Sequence, residues 1–208
     1  MDSGSPFDIF VIGGGINGAA IARDAAGRGL RVGLAERNDF GGATSSASTK
    51  LLHGGLRYLE FGAFGLVRKA LPERAVIFDA APQIARPLPF VIPRMRDARP
   101  DWMIRAALFL YDHLGDRGGM AKSRTIRLRQ DRAGRGLDPG IFKAWRFSDG
   151  WVDDAPMVIA LLRDAQAHGA TLYPHNAVTA AQYQGNWHVM LSDGRTLEAR
   201  HLVNAAGP

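Results

Sequence analysis

The sequence predicts an α/β fold in which a parallel-stranded unit is built from both ends of the chain, with other material inserted between them. Three observations carry that prediction. The continuous apolar run Phe7–Ile12 (FDIFVI) breaks into Gly13-Gly14-Gly15-Ile16-Asn17-Gly18, as a buried parallel strand does before a tight turn into a helix. A second apolar run, residues 30–35 (LRVGLA), ends at Glu36. More than 100 residues of other material then intervene before a helix, a strand and a three-stranded meander close the chain.

Each element has its own signal. Residues 16–28 are rich in alanine and read as a helix closed by Gly29, which completes a strand–helix–strand unit. A long loop, 38–50, leads to a helical pattern over 64–84. The stretch 86–94 (RPLPFVIPR) reads as a short strand held at a sheet edge by its prolines. Residues 100–114 read as a helix that is apolar on most sides, broken mainly by Arg105, Asp112 and His113, and it is expected to be buried. Residues 115–140, rich in Gly and Arg, read as an exposed loop.

Asp153 or Asp154 then opens a helix over 155–168, ended by Gly169. Thr171–Tyr173 is a short strand, and residues 178–183 and 187–191 pair across Gln184-Gly185-Asn186. The turn Ser192-Asp193-Gly194 feeds a strand over 196–199. A last apolar stretch, 201–205, runs into Ala206, Gly207 and Pro208. There is no internal repeat or low-complexity segment.

Composition bounds the function. The 208 residues are 46% apolar and 22% charged, as in ordinary soluble globular proteins. No apolar run approaches the length that crosses a bilayer, and the start MDSGSPFDIF lacks the pattern of a signal peptide, so a cytoplasmic protein is expected. With no cysteine there is no disulfide, thiolate ligand or redox dithiol. Residues 94–135 hold eleven Lys or Arg against five Asp, which accounts for the whole net charge of +6. Such a face is either plain solvated surface or meets an anionic lipid or substrate; no nucleic-acid-binding motif accompanies it.

The glycines have the G-x-G-x-x-G spacing at Gly13, Gly15 and Gly18. Gly13 makes the turn, Gly15 admits a pyrophosphate to the backbone, and Gly18 lets helix and strand close together. The phosphates then meet free N–H groups at the positive end of the helix. Glu36 stands 21 residues after Gly15, where a carboxylate accepts both hydroxyls of an adenosine ribose and repels a 2′-phosphate. The interrupted layout fits FAD better than NAD, whose domain continues promptly to a third parallel strand. The predicted fold is therefore a Rossmann-like FAD-binding domain with part of a mixed-sheet substrate domain inserted.

The stretch DIFVIGGGINGAAIARDAAGRGLRVGLAE resembles the FAD site of the D-amino-acid-oxidase-like flavoprotein superfamily. TSSASTKLLHGGLRYLE, residues 44–60, is more particular and resembles the signature of FAD-dependent, quinone-linked glycerol-3-phosphate dehydrogenases. RPLPFVIP, LFLYDHLG, FSDGWVDDAPMVIALLRDAQAHGA and LVNAAGP resemble the same family, so the likeness runs through nearly the whole chain. It implies that Gly13, Gly15, Ile16, Asn17 and Gly18 line the pyrophosphate, with Glu36 and Arg37 at the adenosine end. Thr44, Ser45, Ser46, Ser48, Thr49 and Lys50 match the loop over the phosphates and ribityl chain. His53, Gly54 and Gly55 match residues beside the flavin ring, and a glycine pair would let backbone approach that flat ring. Val178 matches the backbone facing the adenine, and Ala205, Ala206 and Gly207 match a second stretch against the cofactor.

The resemblance also places Arg57 and Tyr58 at the substrate. Arg57 is either a clamp for a substrate phosphate or a structural partner of Glu60. His53 is either functional or a hydrogen-bonded structural histidine, and Tyr58 either lines the pocket or packs in the core. Trp151, Asp153 and Asp154 match a family motif that reads as a helix start and packing element. The implied reaction is oxidation of sn-glycerol 3-phosphate to dihydroxyacetone phosphate, with hydride passing to FAD and electrons onward to quinone at the cytoplasmic face of the inner membrane. A glycerol-3-phosphate oxidase using oxygen, another oxidase of the superfamily, and a non-catalytic FAD-binding fragment are the alternatives. Members of that family are more than twice as long, so the chain is expected to be an N-terminal portion, with the catalytic base beyond Pro208, weak hold on FAD and little turnover. The expected division is 1–62 and 148–208 for the FAD-binding domain and 63–147 for the substrate portion and basic loop.

Overall fold

The computed structural model describes residues 5–208; the opening residues 1–4, part of the segment read as a floppy start without a signal peptide, lie outside the described residues. In chain order the elements are β1 (Phe7–Ile12), α1 (Ile16–Gly27), β2 (Val32–Ala35), β3 (Leu51–Leu52), α2 (Phe64–Ala80), β4 (Ala85–Pro93) and α3 (Asp101–His113). They continue with β5 (Arg124–Arg127), β6 (Lys143–Val152), α4 (Asp154–Ala167), β7 (Thr171–Tyr173), β8 (Val178–Gln184), β9 (Asn186–Leu191) and β10 (Thr196–Asn204). Two compact units divide the chain. One joins the residues up to Thr49 to Asp153–Pro208; the other is the continuous segment Lys50–Val152. The division falls away from the expected 62/63 and 147/148 because β3 and β6 pair with each other, Leu51 against Trp151, and so belong to one unit.

The first unit is a six-stranded sheet in the order β7-β2-β1-β10-β9-β8. β7, β2, β1 and β10 run parallel, while β10, β9 and β8 form an antiparallel meander. Helices α1 and α4 cover one face. There Ala19, Ala22, Ala25 and Ala26 pack with Val158, Leu162 and Ala165 over Val11, Val32 and Leu34. Small alanine side chains let the helices close on the sheet, which is why α1 shows no broad stripe of large apolar residues. Phe10, Ala35, Val189, Leu191 and Ala199 form the core on the other side.

The sequence reads residues 196–199 and 201–205 as two stretches, but they form one strand. Ala199 is where its partners change: residues 196–199 pair antiparallel with β9, and residues 199–204 pair parallel with β1. A single strand thus joins the meander to the centre of the parallel sheet and delivers Ala205 beside β1.

In the second unit β6 is central. β4 runs along one side of it, and β3 and β5 pair with it on the other. β4 is nine residues long rather than short, and its edge position is as expected. Pro87, Pro89 and Pro93 share one side of the strand, so their missing N–H groups face away from β6. Strands β5 and β6 fall where the sequence reads exposed loop or no element at all. RTIR carries little apolar signal, and KAWRFSDGWV mixes polar residues into a strand whose partners define it. Helix α2 stops at Ala80 instead of continuing to residue 84, since Pro82 lacks an N–H and disfavours helical backbone at Ala81.

Helix α3 corrects a further expectation. It buries only Leu108 and Tyr111, while Trp102 and Phe109 are 69% and 62% exposed. Among the described residues no helix is long and apolar enough to cross a membrane, and no cluster of His, Asp or Glu could hold a metal ion.

Candidate functional site

At Gly13 and Gly18 the turn between β1 and α1 leaves no room for a side chain. Gly13 has φ +104°, and a Cβ there would stand 2.5 Å from the Ala205 carbonyl oxygen. A Cβ on Gly18 would stand 1.9 Å from the Gly13 carbonyl oxygen, so helix and strand meet there backbone to backbone. Gly14, a variable position of the spacing, is equally constrained, because its Cβ would meet the Phe40 ring at 2.5 Å and Glu36 Cβ at 2.9 Å. At Gly15 the nearest atom to a Cβ would be Ser45 Oγ at 3.1 Å, which leaves that side of the turn open toward a ligand.

Around the open side the polar groups are fixed in advance. Glu36 accepts from the Gly14 N–H and the Asn38 N–H, both at 2.8 Å, one on each carboxylate oxygen. The carboxylate is held at the end of β2 with lone pairs left for further donors. Ser45 Oγ accepts from the Ile16 N–H at 2.9 Å, one of the first N–H groups of α1 that lack an intrahelical partner. The Gly41 N–H donates to the Gly14 carbonyl at 2.9 Å, which ties the polar loop to the glycine turn. On the far side the Ala205 N–H donates to the Ile12 carbonyl at 2.8 Å.

These segments enclose one cavity of about 450 Å³. Of the residues singled out in the sequence, Gly13, Gly15, Ile16, Asn17, Glu36 and Arg37 line it, as do Thr44, Ser45, Val178, Ala205, Ala206 and Gly207. Gly18 lies beneath, in the helix–strand contact. Ser46 Oγ donates to the Ala43 carbonyl at 3.0 Å. Ser48 Oγ donates to Asp154 at 2.7 Å, fastening the loop to the start of α4. Thr49 ends the first segment of the first unit and Lys50, with φ 55°, begins the second unit. His53, Gly54, Gly55, Arg57 and Tyr58 all belong to the second unit. Sequence reasoning missed Asn38, Asp39, Gly41, Gly42 and Ala43 as lining residues. The glycine pair just before the hydroxyl run is the signal that could have found them.

Asp154, read in the sequence as a helix start, is therefore also the anchor of the hydroxyl loop. Its other oxygen accepts from the Ala155 N–H at 2.9 Å. Asp154→Ala is expected to lower stability by about 1–2 kcal/mol in urea unfolding. Amide exchange should rise first around Ser48.

In the second unit the glycine pair is also required by the protein's own packing. A Cβ on Gly54 would stand 2.2 Å from Leu71 Cδ2 and 2.7 Å from the Tyr111 hydroxyl. Gly55 has φ +83°, and its Cβ would meet the Tyr58 ring at 2.5 Å. Tyr111 Oη accepts from the Gly54 N–H at 2.8 Å and donates to Asp149 at 2.8 Å. Arg74 pairs with Asp149 at 2.7 Å and reaches Tyr111 Oη at 3.1 Å. All three side chains are buried. Burial, and then the Asp149 charge, push the Tyr111 phenol well above its ordinary pKa, so it stays protonated.

Arg57 is exposed and makes no ion pair among the described residues, and Glu60 pairs instead with Arg99 at 2.9 Å. Tyr58 is 44% exposed and so is not a core aromatic. The His53 side chain is exposed and has no hydrogen bond among the described residues.

A strand, a glycine turn, a helix and an acid at the end of the second strand define a dinucleotide-binding unit, here carrying a meander on the same sheet. The chain belongs to the FAD dependent oxidoreductase (DAO) family, whose model matches residues 8–208. FAD is the cofactor of that family. Over 207 residues it is 49% identical to a D-erythritol 1-phosphate dehydrogenase of Brucella abortus, covering 97% of this chain and 41% of that one. It is 50% identical over 207 residues to a glycerol-3-phosphate dehydrogenase of Pseudomonas aeruginosa, covering 97% and 40%. The solved glycerol-3-phosphate dehydrogenase of Bacillus halodurans, complexed with FAD, matches at 29% identity with a TM-score of 0.72, over 99% of this chain and 35% of that one. The chain thus spans about two fifths of the length of the curated relatives it matches.

Proposed function

We propose that the chain supplies the FAD-binding part of an oxidoreductase acting on the secondary alcohol of a polyol phosphate, with sn-glycerol 3-phosphate as the substrate. The observation that carries this reading is the single cavity that gathers the glycine turn, Glu36, Ser45, Val178 and the residues after β10. The donor set fits FAD. Glu36 has oxygen lone pairs for ribose hydroxyls, the positive end of α1 faces a diphosphate with Ser45 already holding the Ile16 N–H, and the bare Gly15 admits it. When bound, FAD supplies the hydride acceptor.

This chain's residues bind and orient. Arg37 lies at the adenosine end and the Val178 backbone meets the adenine. Thr44 and Ser45, with Ser46, Ser48, Thr49 and Lys50 around them, hold the phosphates and ribityl chain. Ala205, Ala206 and Gly207 close the cofactor's other side. His53, Gly54 and Gly55 are flavin contacts, while Arg57 clamps the substrate phosphate with Tyr58 beside it. The free guanidinium of Arg57 supports that role, since a planar fork of donors matches a phosphate. The likeness to an erythritol phosphate dehydrogenase supports a second substrate, a longer polyol phosphate.

Incubation with FAD followed by desalting is expected to give a yellow chain, and a colourless one overturns the reading. Glycerol 3-phosphate should perturb the bound flavin spectrum and unphosphorylated glycerol should not. Erythritol 1-phosphate in the same titration decides between the two polyols. Glu36→Ala is expected to weaken FAD binding by about tenfold or more, since hydrogen bonds to a charged group each contribute ~1.5–3 kcal/mol.

Quinone as electron acceptor and peripheral contact with anionic lipid on the cytoplasmic face of the inner membrane belong to the same proposal. Arg105, Lys122 and Arg124, which make no ion pair among the described residues, and the exposed Trp102 and Phe109 support it. Binding to vesicles of anionic lipid should be lost at high salt, and equal binding to neutral vesicles would remove the electrostatic part.

A further inference from the structure

Four groups meet in the interior of the second unit: Arg74 from α2, Tyr111 from α3, Asp149 from β6, and the backbone N–H of Gly54 from the segment after β3. The three side chains are 2%, 3% and 4% exposed, so the arrangement exchanges little with water. A buried charge pair is seldom the most stabilising choice, because apolar side chains of similar volume usually do as well. What this pair adds is direction. Tyr111 Oη receives the Gly54 N–H at 2.8 Å, Asp149 stands 3.3 Å from the same N–H, and Asp149 also accepts from the Gly150 N–H at 3.0 Å. Each link fixes the next, from two helices and the central strand to one amide.

That amide precedes the left-handed Gly55. The chain then makes the short turn Leu56–Phe61, in which the Tyr58 N–H donates to the Gly55 carbonyl at 2.8 Å. Arg57 and Tyr58 sit in this turn, with exposed side chains. No hydrogen bond or ion pair of the Arg57 side chain holds it among the described residues, so its placement depends on the backbone that carries it.

We infer that Arg74, Tyr111 and Asp149 are positioning residues that lock the Gly54 amide, and through it the turn presenting Arg57 and Tyr58 to the ligand. The inference rests on the functional reading above, which makes 53–58 a ligand-facing segment. None of the three residues was singled out in the sequence: Tyr111 and Asp149 lie inside LFLYDHLG and FSDGWVDDAPMVIALLRDAQAHGA without a role read for either, and Arg74 lies in no quoted stretch.

Tyr111→Phe keeps the ring and removes one hydroxyl. Exchange at the Gly54 amide is expected to rise about tenfold relative to Val67 and Leu71 of the same core, the size of effect a lost hydrogen bond gives. The FAD-loaded variant should bind FAD several-fold more weakly, with a shifted visible band. If Tyr111→Phe does not fold, Arg74→Met/Asp149→Leu removes the ion pair with apolar side chains of similar size and is read in the same way. Faster Gly54 exchange with an unchanged flavin spectrum and affinity would make the network purely structural and overturn the inference. Unchanged Gly54 exchange overturns it as well. A parent chain that takes up no FAD overturns the functional reading and this inference with it, so the two failures are told apart.

Discussion

Gly18→Ala is expected to lower the stability of the first unit by more than about 3 kcal/mol and to abolish FAD uptake, as read by urea unfolding and desalting. The added methyl carbon would stand 1.9 Å from the Gly13 carbonyl oxygen, with the Gly13 carbonyl carbon at 3.1 Å. Both atoms belong to backbone that is itself fixed. Gly13 abuts Ala205, and its N–H donates to the Ala35 carbonyl at 2.8 Å. Relief therefore requires α1 to lift off β1, and that separates Ala19, Ala22 and Ala26 from the core. The control lies on the same helix. Gly27 has nothing within 4 Å of where a Cβ would go, so Gly27→Ala should be neutral or stabilising by up to about 1 kcal/mol. A Gly18→Ala chain as stable as its parent would show that the close approach is not required.

Removing one member of the buried pair gives the second large effect. Asp149→Leu leaves the Arg74 guanidinium at 2% exposure without its carboxylate, while its Nε has no partner among the described residues. The expected cost is about 3–5 kcal/mol. Arg74→Met/Asp149→Leu removes both charges and should recover most of the loss, because desolvating the pair offsets much of its attraction. Chemical denaturation of the two single variants and the double variant closes the cycle. If the double variant is no better than Asp149→Leu, the pair is stabilising in its own right.

The parallel unit was legible in the sequence because its signals are local. FDIFVI, the glycine spacing and Glu36 lie within 30 residues, and each acts on its neighbours. The second unit was far less so. β6 owes its place to three partner strands, and RTIR becomes a strand only because β6 lies beside it. Helix α3 looked buried from composition, yet its packing partners engage only Leu108 and Tyr111. At the candidate site, Gly14 and Gly54 show the same limit: what forbids a side chain at each is an atom distant in sequence or specific to the packing, Phe40 in one case and Leu71 in the other.

The change of partner at Ala199 also sets an order of events during synthesis. β1 and β2 are made early relative to β10, the strand Thr196–Asn204 that completes the other side of β1. At roughly 5–20 residues per second, translation leaves that flank of the nascent sheet open for on the order of ten to forty seconds. Within Lys50–Val152 the longest wait is about half as long, since Leu51 pairs with Trp151, 100 residues on. An unpaired apolar strand edge is where nascent chains mispair. The demand for chaperone protection should therefore fall on FDIFVI, and slowing translation of the codons between β2 and β10 should lower the yield of folded chain.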